Sequence, residues 1–141
     1  MQNFFQENNK KGDGLFRKIE AACDGLIYTS ETDAPVVAFS GPEAAEPTGE
    51  LILQQIGGEA EAGIEEVRFG DFFGKLTAIR DWYGEPQKER AKRFLDLQQL
   101  LEENLRLLKV FRIGEIRIDI YTVGITDDGR MMGVSTKAVE T

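Results

Sequence analysis

The chain has 141 residues, of which 41% are hydrophobic and 30% charged, the composition of one globular domain with its own core and not of a disordered or membrane-embedded chain. It contains no histidine and a single cysteine, Cys23; this excludes the usual serine and cysteine triads, every histidine-based metal site and an internal disulfide. The 25 acidic against 17 basic residues give a formal charge of −8, a field that opposes direct nucleic-acid binding and suits either simple solubility or a basic partner.

Residues 1–12 are polar and are expected to form a flexible segment whose Phe4 and Phe5 can dock. They lack the basic region, long apolar run and cleavage site of a secretory signal, and no later stretch approaches a membrane span, so a cytoplasmic protein without membrane contact is expected. Residues 13–141 are expected to form one domain. Asp13 is placed to cap a helix in which Leu15, Phe16, Ile19, Ala22 and Cys23 repeat at helical spacing, ending at Asp24-Gly25. A polar loop over Thr29 to Asp33 follows, then a strand over Val36 to Phe39.

Pro42 and Pro47 mark Gly41 to Gly49 as a loop, and Glu50 to Ile56 reads as a second strand. After a turn over Gly57 to Gly63, a third strand is expected at Ile64 to Val67. Asp71 then caps a short helix through Phe72, Phe73 and Leu76. Asp81-Trp82-Tyr83-Gly84 is a connection rich in aromatic surface. From Gln87 to Leu108 the residues Ala91, Phe94, Leu95, Leu101, Leu105 and Leu108 mark one face of a long amphipathic helix.

Glu115 to Tyr121 alternates, with three isoleucines on one face and charged groups plus tyrosine on the other, which predicts a strand with one polar face. Asp127-Asp128-Gly129 supplies a hairpin turn into a last strand, Met131 to Val139. That strand is expected to hold a two-residue tip, Glu140-Thr141, at the sheet edge. The whole reads as an α+β domain with an antiparallel-rich sheet.

Catalytic chemistry is poorly served by these residues. Asp127-Asp128-Gly129 lacks the alternating oxygens and distal glutamate of a calcium loop, and neither Gly57-Gly58 nor Gly12-Asp13-Gly14 has the lysine and spacing of a phosphate-binding loop. The pairs Glu65-Glu66 and Glu102-Glu103 read as solvated faces. No enzymatic role and no cofactor are expected.

Seven segments, in order, carry a resemblance: Asp24-Gly25-Leu26, Ser30-Glu31-Thr32, Leu53-Gln54-Gln55, Asp71-Phe72-Phe73, Asp81-Trp82-Tyr83, Arg112-Ile113-Gly114-Glu115 and Gly133 to Thr141. Together they make the chain similar to the nuclease A inhibitor family, whose members block bacterial sugar-nonspecific nucleases. The resemblance implies a three-layer α/β/α sandwich around a mixed, largely antiparallel sheet, similar to pathogenesis-related protein 1. It also implies a one-to-one complex with a sugar-nonspecific nuclease and a free monomer. By position, Thr141 would reach the nuclease's magnesium and Glu31 an active-site arginine, with Asp81, Trp82 and Glu140 as further contacts. Arg80 departs from the family pattern, which has a neutral polar residue there, and bears on affinity and target. A non-inhibitory binding module on the same fold is the alternative.

Overall fold

Leu15, Phe16, Ile19, Ala22 and Cys23 line the inner face of the first helix, α1 (residues 14–23), in the computed structural model, which describes residues 14–58 and 63–141. Gly25 stops α1 at φ 71°, a conformation open to glycine without a side-chain penalty. The expected cap Asp13, the segment 1–12 and residues 59–62 of the expected turn lie outside the described residues.

Two short strands, β1 (Ile27–Thr29) and β2 (Asp33–Pro35), pair antiparallel as a hairpin of their own, so the expected Thr29–Asp33 loop is only its three-residue tip. Strand β3 (Val37–Glu43) runs past Pro42. This is tolerated because β3 is an edge strand whose register shifts between Ser40 and Glu43.

Glu50 to Ile56 is helix, not strand: α2 spans Gly49–Ile56. Thr48 caps it by accepting the Leu51 N–H at 3.2 Å, and Gly57 closes it at φ 70°. The consecutive Leu51-Ile52-Leu53 cannot alternate as a half-buried strand must, whereas Gly49, Ile52, Leu53 and Ile56 fall at i, i+3, i+4 and i+7. Strand β4 (Ile64–Val67) follows, and α3 (Phe69–Thr77) starts two residues before Asp71, with Arg68 at its N-cap and Asp71 in its first turn.

The long helix α4 (Glu85–Asn104) stops short of Leu108, and Arg106–Ile113 form strand β5, absent from the sequence reading. Leu101, Leu105 and Leu108 continue a helical stripe past the true end, and no glycine or proline punctuates it. The buried stripe of α4 is Ala91, Phe94, Leu97 and Leu101, while Leu95 is exposed. Strands β6 (Arg117–Ile125) and β7 (Arg130–Val139) are joined by the Asp127-Asp128-Gly129 turn.

The five-stranded sheet has the order β3-β7-β6-β5-β4, and every pairing among the described residues is antiparallel, not mixed. Neighbouring residues along a strand join different apolar clusters. Met132 and Val134 pack with α1, α3 and α4, while Met131, Tyr121, Val123 and Ile125 pack with Ile52 and Leu53 of α2. The face of β6 expected to be polar is therefore buried from Tyr121 onward, and Ile116, counted on its apolar face, is 58% exposed in the turn before it. Full burial of each such large side chain contributes about 1.5–3 kcal/mol. No helix among the described residues is long and apolar enough to cross a membrane.

Cys23 is buried in the cluster beneath α1 and α4, and burial pushes its thiol up to about 11, against a smaller opposing pull from Arg93. Its thiolate is scarce at neutral pH. Native protein is expected to react with a thiol-specific chromogenic disulfide far more slowly than protein in urea. Equal rates in the two states would show that Cys23 is not held in the core.

Candidate partner-binding site

The last strand determines where the chain leaves the fold. β7 lies between β3 and β6, so it is not a sheet edge; β3 pairs with it only up to Ser135. Beyond that point the β1–β2 hairpin takes over as its outer neighbour. Thr136 Oγ1 donates to the Pro35 carbonyl at 3.0 Å, the Val139 N–H donates to Ser30 Oγ at 3.0 Å, and the Glu31 N–H donates to the Val139 carbonyl at 3.3 Å. Ser30 is oriented by its own turn, where its N–H donates to the Thr32 carbonyl at 2.9 Å.

Three residues in a row are held in this way. After Val139, the Glu140 N–H donates to the Ile116 carbonyl at 2.9 Å, and Glu140 Oε1 lies 2.7 Å from Arg112 Nη2. Thr141 then donates twice to one carboxylate, its N–H to Glu31 Oε2 at 2.5 Å and its Oγ1 to Glu31 Oε1 at 2.7 Å. Both partners are exposed. The Thr141 hydroxyl first, and its N–H second, hold the Glu31 carboxyl below the ordinary glutamate range.

Arg112 stands behind the tip with 17% of its side chain exposed, its Nε 3.1 Å from Glu65 Oε1 across the β4–β5 pair. The contact with Glu140 pushes its guanidinium further above the ordinary value. Arg112, Glu65 and Glu140 border a cleft of about 370 Å³ whose apolar wall includes Tyr28 stacked on Phe72 at 5.8 Å. Burial pushes the Tyr28 phenol up, so it stays neutral. A second cleft, of about 310 Å³, lies beside Trp82 and Tyr83 and shares Lys75 and Leu76 of α3 with the first.

Of the residues singled out in the sequence, Glu31, Glu140 and Thr141 are brought together. Asp81 and Trp82 stand apart from them in the α3–α4 connection, across the Lys75-Leu76 ridge. Trp82 is 75% exposed and meets Tyr83 edge-on at 4.7 Å, leaving a large aromatic face in water. Arg80 is exposed in the same connection. The sequence reading gave no role to Ser30, Glu65 or Arg112. The opposite-charge pair Glu65–Arg112 becomes visible only once residues 106–113 are known to be a strand. Among the described residues no group of three or more His, Cys, Asp or Glu side chains stands close enough to hold a metal ion.

Because the folded carboxyl of Glu31 is depressed, its hold on Thr141 is present above the ordinary glutamate pKa and is lost as pH falls through the folded value. In a pH titration followed by NMR, the Thr141 amide is expected to move together with the Glu31 carboxyl and to report that depressed value. A Thr141 amide indifferent to Glu31 protonation would remove the contact from solution.

A family model described as nuclease A inhibitor-like protein matches residues 13–141. No curated protein matches the chain. The match takes in the hairpin that carries Glu31, the strand that carries Arg112, and Glu140 and Thr141 after β7. The chain belongs to the nuclease A inhibitor-like family.

Proposed function

We propose that this protein is a proteinaceous inhibitor that binds and plugs the active site of a magnesium-dependent, sugar-nonspecific DNA/RNA endonuclease in a one-to-one complex. Thr141 sits at the nuclease's metal and Glu31 on a nuclease arginine, with Glu140, Asp81 and Trp82 as surrounding contacts. The observation that carries this reading is the meeting of Glu31 and Thr141, 110 positions apart, in one exposed unit. Family membership supports it. So does the charge of −8, which favours encounter with a cleft built to hold phosphates.

The residues suit the chemistry. Magnesium takes hard oxygen ligands, and the Thr141 hydroxyl is one whose proton already goes to Glu31. Each Glu31 oxygen accepts one hydrogen bond from Thr141 and retains a second acceptor site, so the carboxylate can still receive an arginine fork. The same reading gives the chain no catalysis of its own, a monomeric free state and a cytoplasmic location. It also includes a three-layer α/β/α sandwich similar to pathogenesis-related protein 1, supported by α1, α3 and α4 packing with one set of central-strand residues and α2 with the alternate set.

Titrating the protein into a plasmid-degradation assay is expected to end cleavage near one equivalent; undiminished cleavage there would leave the alternative, a non-inhibitory binding module on the same fold. Four residues appended after Thr141 are expected to abolish inhibition with an unchanged circular dichroism spectrum. If the extended chain inhibits equally well, Thr141 is not the plug. Glu31→Ala is expected to weaken the complex by about 2–5 kcal/mol, the cost of leaving a desolvated arginine unpaired, whereas a change of a few tenths would make Glu31 a rim charge.

A further inference from the structure

We infer that Arg112 is a positioning residue for the Glu140-Thr141 tip, an inference that rests on the reading of that tip as the inhibitory segment. The last residues of a chain ordinarily fray, and ordering one costs about 1–2 kcal/mol of backbone entropy. A plug ordered before binding does not meet that cost at the moment of association. Here the hold on Val139 comes from Ser30 and Glu31, and the hold on Thr141 from Glu31 alone. Glu140 between them is fixed by the Ile116 carbonyl and by the Arg112 guanidinium at 2.7 Å.

Arg112 can grip because it is itself anchored. Its backbone lies in β5 between β4 and β6, its side chain is largely covered, and its Nε is taken by Glu65 at 3.1 Å. The planar fork thus bridges a carboxylate of β4 and one of the segment after β7, which the single ammonium of a lysine cannot reproduce with the same directionality. It also supplies positive charge among acidic groups, in a cleft that Lys75 lines as well. Glu65 and Glu140 flank it directly and Glu31 holds the next residue, so its removal leaves like charges facing one another at the tip.

The test uses the free protein and the inhibition assay together. In wild type, the 15N relaxation of Thr141 is expected to match that of β7. In Arg112→Gln, with β-sheet signals intact, Glu140 and Thr141 are expected to acquire the relaxation of a frayed end, and inhibition to weaken about a hundredfold, the equivalent of ordering two residues. Arg112→Lys is expected to restore little of either. Glu140→Gln, which leaves the Arg112–Glu65 pair in place, gives the same loosening and carries the test should Arg112→Gln not fold; the double variant is expected to be no worse than either single one.

Ordered Thr141 in Arg112→Gln or Glu140→Gln, or additive effects of the two changes, would overturn the positioning role. If wild type fails to inhibit while these variants still free Thr141, the inhibitor reading falls and Arg112 remains the tip's anchor. If wild type inhibits and the variants inhibit as well with Thr141 ordered, the inhibitor reading stands and the role of Arg112 falls.

Discussion

The pairing of β6 with β7 is the constraint on which the rest of the molecule depends. Nine successive residue pairs, from Arg117 with Val139 to Ile125 with Met131, leave β7 no freedom of register. The two core clusters enforce the same register, because Met131 and Met132 belong to opposite ones. A slip of one residue would exchange those faces. It would also carry the chain end along by about 3.3 Å, one strand residue. The position of Thr141 is therefore set by hydrophobic packing far from Thr141 itself.

Around that fixed end the molecule assembles a small electrostatic unit. Three carboxylates, from Glu31, Glu65 and Glu140, come from a hairpin tip, an edge strand and the chain end, with Arg112 bridging two of them. Each donor at the tip has an acceptor: the Val139 N–H goes to Ser30, the Glu140 N–H to Ile116 and both Thr141 donors to Glu31. Such saturation is what lets an exposed segment keep one conformation. It leaves acceptor oxygens, not donors, as the outward-facing chemistry, suited to a cationic partner and unsuited to phosphate.

How far this was legible in the sequence differed from segment to segment. α1, the first half of β6 and the Asp127-Asp128-Gly129 turn into β7 follow from helical spacing, alternation and a glycine turn, each a local signal. α2 was misread because Leu51, Ile52, Leu53 and Ile56 have the composition of a strand, while their helical spacing and the Thr48 and Gly57 caps carry the contrary message. β5 was hidden because α4 ends at Asn104 without punctuation and leucines continue on both sides. Glu31, Glu140 and Thr141 were identified through family likeness. Their contact is non-local and needs β7 set against the β1–β2 hairpin, and the part played by Arg112 required a strand that had not been seen.

The hairpin that steadies the tip has a second consequence, for the open side of β7. Where β3 parts from β7 after Ser135, the outward backbone groups of β7 would form an open template on which another chain's strand could add. The β1–β2 hairpin closes that gap with little ordinary ladder pairing. Ser30 Oγ takes the Val139 N–H, the Glu31 N–H takes its carbonyl, and Thr136 ties back to Pro35. An acidic three-residue turn thus stands where an open β-edge would otherwise lie, and the chain end emerges beside it.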